Sequence, residues 1–495
     1  MPFLSRSSPS RTSLAVAAAL LALPPGTQAL RASHHVAPAD IALLDAPALA
    51  PTSLTGVPVA PPPAAASWQL QQELWTVSQA RATLTRVQAQ AVARWTRRPT
   101  VVPWNEHLRD RLGFHRHKFY LPRNARGYAL LNVAMYDAML TAGRAQAHYG
   151  RAEPARVAFG VLGPLVPARG VASYPSVEAA AAWAAARVLA HLLPEEAKAA
   201  EAMAEEACRA RVWAGLAYPS DVAAARPIGE GIADGVLRWR RSDGAEAYSG
   251  VPALSHLSAP TAAHGGLWRH PVPTEPRAGS WDPWLLTSPS QFRLPPPPRP
   301  GDTAFEHDHA EVLALSHQLS APQQRAAEAF APIAPTSAWV RLVIADIERS
   351  GLGELAAARV MAYWARAQAD AAIACWDSKY WWMQIRPHQE ESRRRPGTPW
   401  WPYGVTTPAH PSYPAGHSVA SAASAAFLDR AFPTHQASHA ALLREMSLAG
   451  LWGGIHYRTD MTAGQALGAR VGRLHVEAME QDAPPPPPRG STSPQ

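Results

Sequence analysis

The fold is decided by two similar stretches, SYPSVEAAAAWAAARVLAHLLP (residues 173–194) and SYPAGHSVASAASAAFLDRAFP (residues 412–433). When residues 173–229 are placed on residues 412–468 without a gap, Trp, Pro, Tyr, Asp and Gly positions coincide. A chance alignment of two alanine-rich helices would match alanines and not these rarer residues. The chain is therefore predicted to contain a helical bundle built twice.

The order of the segments follows from this repeat. We predict an all-α fold of two tandem related bundles, residues 67–249 and 304–482, with the active site in the second. A Pro/Trp-rich extended connector at 250–303 joins them. The 50 prolines in 495 residues exclude a single uninterrupted bundle. Pro- and Ala-rich composition predicts a poorly ordered lead-in at 30–66 and a disordered tail at 483–495.

The first 29 residues have the layout of a secretory signal peptide. Arg6 and Arg11 precede the apolar run LAVAAALLAL, which is followed by Pro-Pro-Gly and then by Thr27-Gln28-Ala29, a small-x-small cleavage site. The run is too short to span a membrane. We therefore expect an exported protein, periplasmic or extracellular, with no membrane span in the mature chain. A retained membrane anchor is the alternative.

Charge and cysteine content exclude several classes of protein. The 46 basic and 38 acidic residues leave a net charge of +8 without a basic cluster, so no nucleic-acid partner is predicted. Two cysteines exclude a disulfide framework and a cysteine-rich metal site.

The two copies differ at positions where chemistry is expected. The second copy has His417 for Glu178, His456 for Ala217 and Lys379 for Met139. Chemistry should therefore reside in the second copy, with the first as a scaffold.

Two cations in the second copy indicate an anion site. Lys379 and Arg386 lie seven residues apart, two helical turns, so both can face one way. Pro387 then ends the helix. A fixed pair of cations favours an oxyanion, because the arginine fork matches its oxygens.

Two histidine motifs follow. In HPSYPAGHS (410–418), Gly416 allows close backbone approach to a ligand, and a helix with a positive dipole end begins nearby, beside His417. In GGIHYRTD (453–460), His456 and Asp460 are four residues apart. On a helix the carboxylate can hold one imidazole nitrogen and direct the other toward a ligand.

These motifs resemble those of the superfamily that unites vanadium-dependent haloperoxidases, type-2 phosphatidic acid phosphatases and bacterial class A acid phosphatases. The bacterial haloperoxidase-like branch fits best, because it has two bundles and one active site. The resemblance implies one vanadate per chain, without haem or flavin. It assigns oxyanion binding to Lys379, Arg386 and the Gly416 amide, metal coordination to His456, acid–base catalysis to His417, and supporting positions to Asp460, His410 and Trp376.

Three functions remain open on this resemblance. The first is oxidation of halide by hydrogen peroxide to hypohalous acid, which would act on an organic acceptor. The histidine at 410 favours bromide or iodide over chloride. The second is an acid phosphatase that hydrolyses a phosphate ester through a phosphohistidine at His456. Whether the chain forms a homo-oligomer is left open.

Two departures from the family pattern leave a third, non-catalytic reading open. Ala415 replaces the motif serine, at a cost of ~1–2 kcal/mol in oxyanion binding. Gly450 stands where the family has a second arginine, at a cost of ~1.5–3 kcal/mol. Arg458 could compensate only if its segment were a loop. Gly450→Arg is therefore expected to tighten binding if the site is incomplete.

Overall fold

The computed structural model describes residues 40, 42–51, 59–114, 120–157, 172–246, 267–331, 333–397, 400 and 406–482. Apart from one isolated bridge, every regular element in these ranges is helical, which confirms the all-α class. The predicted signal peptide and tail lie outside the described residues. Within these ranges no single helix is long and apolar enough to cross a membrane, although the bent pair at 321–330 and 335–350 passes that test jointly.

Helices of eight residues or more are numbered along the chain. The first half contains α1 Trp68–Ala82, α2 Arg86–Thr96, α3 Val101–Phe114, α4 Leu121–Tyr149, α5 Val177–Leu192, α6 Ala197–Ala214 and α7 Pro219–Arg240. The second half contains α8 Thr303–Gln318, α9 Ala321–Phe330, α10 Pro335–Ser350, α11 Glu354–Trp382, α12 Pro387–Arg394, α13 Gly416–Ala431, α14 Gln436–Trp452 and α15 Arg458–Gln481.

The same backbone hydrogen bond occurs within each half, at positions that the sequence repeat aligns. The Ser176 amide donates to the Asp221 carbonyl at 3.1 Å, and the Ala415 amide donates to the Asp460 carbonyl at 2.9 Å. Each contact ties the start of one helix to the start of its neighbour, α5 to α7 and α13 to α15.

Paired glycines allow the same helices to approach closely. A Cβ on Gly229 would lie 2.3 Å from the Ala180 carbonyl oxygen, and one on Gly468 would lie 2.0 Å from that of Val419. Neither position admits a side chain. The tandem bundles and their bounds remain a prediction, which these paired contacts support.

The two halves meet through the two longest helices, α4 and α11. Tyr128 on α4 packs edge-on against Trp364 on α11, with ring centroids 6.1 Å apart. One apolar core contains buried residues from both helices. The second half is thus packed directly against the first.

Part of the predicted lead-in is ordered by polar contacts. Main-chain amides of Leu49 and Ala50 donate to the Asp137 carboxylate at 2.8 and 2.9 Å. The Asp40 carboxylate accepts from the Ala356 amide at 3.0 Å in the first turn of α11. These described parts of the lead-in are therefore held against the helices: Leu49 and Ala50 by the buried Asp137 carboxylate, and Asp40 by its own carboxylate at the start of α11. Composition alone carries no signal for such contacts.

The described part of the connector, residues 267–302, runs along α11 and contains no α-helix. Its Trp284 and Leu286 amides donate to the Asp370 carboxylate at 2.6 and 3.0 Å. Asp370 is completely buried and also contacts His475 Nε2 at 3.0 Å. The connector is therefore fixed against the helix that ends at Lys379.

Candidate active site

Lys379 lies in the last turn of α11 and is completely buried. Its Nζ donates to the Pro411 carbonyl at 2.7 Å and to the Ser412 carbonyl at 2.9 Å. Burial lowers the pKa of Lys379 to about 7. At neutral pH the ammonium and the neutral amine are thus both populated, and the acceptors that bind the nitrogen directly are uncharged.

Arg386 caps the N-terminus of α12 and is also completely buried. Its Nε donates to the His410 carbonyl at 2.8 Å, Nη1 to the Ile455 carbonyl at 2.6 Å, and Nη2 to His410 Nδ1 at 3.0 Å. Burial lowers the pKa of Arg386 to about 10, so the group stays charged at neutral pH.

The charges of this cluster do not balance. Among the described residues, no carboxylate lies within ion-pair distance of Lys379 or Arg386. Asp460 is the acid whose charge attracts both. When Lys379 is protonated, two buried cations face one carboxylate, and an additional anion would be favoured because it would hold the lysine in its charged form.

His456 and Asp460 form the predicted pair at the start of α15. His456 Nδ1 lies 3.0 Å from Asp460 Oδ2, which also accepts from the Tyr457 amide at 3.0 Å and from the Ser412 hydroxyl. Because the carboxylate accepts, Nδ1 carries the proton and Nε2 keeps its lone pair. Burial, with Arg386 nearby, lowers the pKa of His456 well below its usual range, so the ring is neutral.

Gly416 is the first residue of α13, after Ala415, which provides no side-chain cap. The first amides of a helix have no intrahelical partner, so this end can donate to an anion. A Cβ on Gly416 would lie 3.3 Å from Leu121 Cδ2 and 3.7 Å from Trp376 Cζ3. Close packing by α4 and α11 is thus a second reason for glycine here.

His417 is held by the last residue of α9 and by the segment that follows it. Its Nε2 lies 3.1 Å from the Phe330 carbonyl and 2.9 Å from the Ile333 carbonyl. Carbonyl oxygens only accept, so Nε2 carries the proton. Burial lowers the pKa of His417, which leaves a neutral ring with its lone pair on Nδ1.

His410 and Trp376 form one aromatic wall of the cluster. Their ring centroids are 4.9 Å apart, and Trp376 Nε1 donates to the Thr274 carbonyl of the connector at 3.3 Å. Burial, followed by the charges of Lys379 and Arg386, lowers the pKa of His410 well below its usual range. A neutral His410 therefore lines the site.

The space beside Gly450 is occupied by the His456 ring and not by a cation. A Cβ on Gly450 would lie 3.1 Å from His456 Cδ2. Arg458 does not compensate for the missing arginine: it begins α15 as a helical residue and pairs with Glu311. In the first half the equivalent Arg211 pairs with Glu178 at 2.6 Å.

The structure thus gathers the side chains that the sequence singled out into one region, namely Lys379, Arg386, His410, His417, His456, Asp460, Trp376 and the Gly416 amide. Sequence reasoning missed Ser412 as a site residue, although its match to Ser173 in the repeat was a usable signal. It also missed the main-chain acceptors at Phe330 and Ile333, for which the sequence carries no signal.

Comparison with known proteins finds relatives of part of the chain. Residues 357–482 match the family model described as the PAP2 superfamily. This region of the chain is therefore similar to the PAP2 superfamily. Decaprenylphosphoryl-5-phosphoribose phosphatase of Mycobacterium tuberculosis is 35% identical over 82 residues, which are 17% of this chain and 45% of that protein. The chain therefore spans less than half the length of this curated relative.

Solved structures resemble a much larger part of the chain. The first bacterial vanadium-dependent iodoperoxidase has a TM-score of 0.61 at 22% identity, over 76% of this chain and 95% of its own. An apo-type bacterial vanadium-dependent chloroperoxidase has a TM-score of 0.55 at 16% identity, over 74% and 95%. At these identities the likeness shows a shared fold.

Proposed function

We propose that this chain is a vanadate-dependent haloperoxidase-like enzyme, which oxidises halide with hydrogen peroxide to hypohalous acid. The observation that carries the proposal is the pair of buried basic groups, Lys379 and Arg386, which no carboxylate in the described ranges contacts directly and which a bound anion would keep protonated. His456 Nε2, with its lone pair free, belongs to the same cluster.

The residues present fit a tetrahedral oxyanion such as vanadate. Lys379, Arg386 and the Gly416 amide would hold its oxygens, and His456 Nε2 would be the ligand to the metal. Bound vanadate would supply a Lewis-acidic centre that activates peroxide toward halide without changing its oxidation state. Since Ala415 and Gly450 contribute no donor, the complex should be weaker than one with a full set of donors.

The remaining groups of the chain would handle protons and exclude water. His417 Nδ1 is the available acceptor for a peroxide proton, because Nε2 is bound to main-chain carbonyls. Lys379 then holds a positive charge where negative charge develops, in a buried setting that strengthens the attraction. His410 and Trp376 exclude water from one side.

An acid phosphatase is the second candidate, favoured by the similarity to the mycobacterial phosphatase. In that reaction His456 Nε2 would attack phosphorus, and His417, once protonated at Nδ1 in acidic solution, would protonate the leaving alcohol. Likeness to the peroxidases over both halves supports the first candidate. The substrates in either case are small molecules, and export to the periplasm or the exterior stays part of the proposal.

Halide oxidation tests the proposal directly. Purified protein is assayed with hydrogen peroxide and bromide or iodide, with and without orthovanadate, and separately for hydrolysis of a phosphate ester. We expect vanadate-dependent halide oxidation that Lys379→Met abolishes, whereas Lys198→Met, at an exposed position, leaves it unchanged. Ester hydrolysis by the vanadate-free protein, with no halogenation after vanadate is added, would reverse the ranking. Absence of both activities and of oxyanion binding would indicate a non-catalytic protein.

A further inference from the structure

Ser412 connects the two sides of the candidate site, yet neither the motifs nor the proposed reaction gives its side chain a role. It is completely buried. Its hydroxyl donates to Asp460 Oδ2 and lies 3.4 Å from His456 Nδ1. Its main-chain carbonyl accepts from Lys379, and its amide donates to the Gln384 carbonyl at 3.0 Å.

We propose that the Ser412 hydroxyl is a positioning group that fixes the Nδ1–H tautomer of His456 by orienting the Asp460 carboxylate. The inference deepens the proposed function, because it concerns the same oxyanion site. Its consequence is that Nε2 of His456 always presents a lone pair to the oxyanion.

The hydrogen-bond directions support this assignment. The Ser412 proton is directed to Asp460, so the hydroxyl oxygen presents only lone pairs to His456 Nδ1. Both groups beside Nδ1 are then acceptors, and a lone pair on Nδ1 would face two acceptors with no donor. The Tyr457 amide is a third contact to the same Asp460 oxygen and holds the carboxylate from the other side.

Removing the hydroxyl should act on this orientation alone. Ser412→Ala keeps the main-chain carbonyl that binds Lys379 and the amide that binds Gln384. What it removes is one of the donors to Asp460 and one of the two acceptors beside His456 Nδ1. The imidazole can then exchange tautomers or rotate, and a fraction of molecules will present N–H to the oxyanion.

The first half contains a matched control. Ser173 occupies the position of Ser412; its hydroxyl donates to the Arg151 carbonyl at 3.4 Å and lies beside Asp221, the counterpart of Asp460. Ala217 stands where the second half has His456, so this contact has no imidazole to orient. Ser173→Ala therefore reproduces the loss of a buried serine hydroxyl beside an aspartate without touching the site.

Two measurements on oxyanion-free protein test the inference. Ring ¹⁵N chemical shifts of labelled histidine, with the His456 signals assigned by their absence from His456→Gln, report the tautomer. Calorimetric titration with inorganic phosphate reports affinity. We expect the Nδ1–H form in the wild type, mixed tautomers and about tenfold weaker phosphate binding in Ser412→Ala, and wild-type values for Ser173→Ala.

Two outcomes would overturn the inference. One is an Nε2–H form of His456 in the wild type, which needs no variant and so remains decisive if Ser412→Ala does not fold. The other is a Ser412→Ala protein with the tautomer and phosphate affinity of Ser173→Ala. A wild type that shows the Nδ1–H form but binds neither phosphate nor vanadate would refute the proposed function and leave the positioning role intact.

Discussion

Replacing Lys379 with methionine should stabilise the oxyanion-free protein and at the same time abolish oxyanion binding. Methionine is the residue at the matching place in the first half, where Met139 is completely buried in the core. The substitution therefore has a precedent for size and burial within the same chain.

The magnitude follows from the buried charge. A pKa lowered from 10.5 to about 7 corresponds to about 5 kcal/mol against keeping Lys379 protonated in the folded state. Because the pKa falls on folding, this penalty is absent above pH 10.5, grows as pH falls toward 7 and is constant below that. The Pro411 and Ser412 carbonyls lose their donor in the variant, which lowers the free energy of unfolding by about 1–3 kcal/mol. The free energy of unfolding at pH 7 should rise by about 2–4 kcal/mol.

Urea denaturation at pH 7, with and without orthovanadate or inorganic phosphate, measures both effects. An oxyanion at 100 times its dissociation constant should add ~2.7 kcal/mol to the wild type and nothing to Lys379→Met. Lys198→Met, at an exposed position, is the control and should match the wild type throughout. A less stable Lys379→Met protein would show that the lysine charge is compensated. Equal oxyanion stabilisation of variant and wild type would remove Lys379 from the site.

Three further predictions concern His439, Gly450, which lies beside His456, and His417. His439 contacts a carboxylate at each ring nitrogen, one of them Asp346 at 2.8 Å, and these contacts raise its pKa despite burial. The stabilisation by protonated His439 is present below pH ~6.5 and is lost as pH rises through the raised pKa. His439→Gln should therefore lower the free energy of unfolding, measured by denaturation, by about 1–3 kcal/mol at pH 5.5 and by much less at pH 9. A loss that does not depend on pH would contradict this. Gly450→Arg should weaken phosphate binding, contrary to the expectation from sequence, because its Cβ would press on His456; tighter binding by calorimetry would show that the ring can move. His417→Gln should retain vanadate binding and lose at least tenfold in halide oxidation rate, and equal loss of both would contradict a role in proton transfer.

The sequence was sufficient to predict the contact between His456 and Asp460, which lie four residues apart. The expected helical face was wrong, because His456 precedes α15 and meets Asp460 across the start of that helix. Lys379 and Arg386 were also predicted to bind a common anion. Arg386, however, lies beyond the end of α11, so it reaches the site from the start of α12 and not from the same helix face.

Contacts made through the main chain could not be predicted in this way. The acceptors of His417 Nε2 are carbonyls of Phe330 and Ile333, and any residue types at those positions would supply the same oxygen atoms. The ordered part of the lead-in is held by Asp137, whose partners are likewise backbone amides. The obstruction beside Gly450 depends on the path of the backbone before His456, which no local pattern specifies.

Leu121, at the first turn of α4, forms a wall of the second half's site by packing against Gly416. A carboxy-terminal fragment expressed alone would lack this wall. Solvent would then reach the ammonium and guanidinium groups, the local dielectric constant would rise, and the lysine would regain its ordinary basicity. Electrostatic attraction for the oxyanion would fall accordingly. In the proposed site, the amino-terminal half would thus keep solvent away and strengthen the attraction between the basic groups and a bound anion.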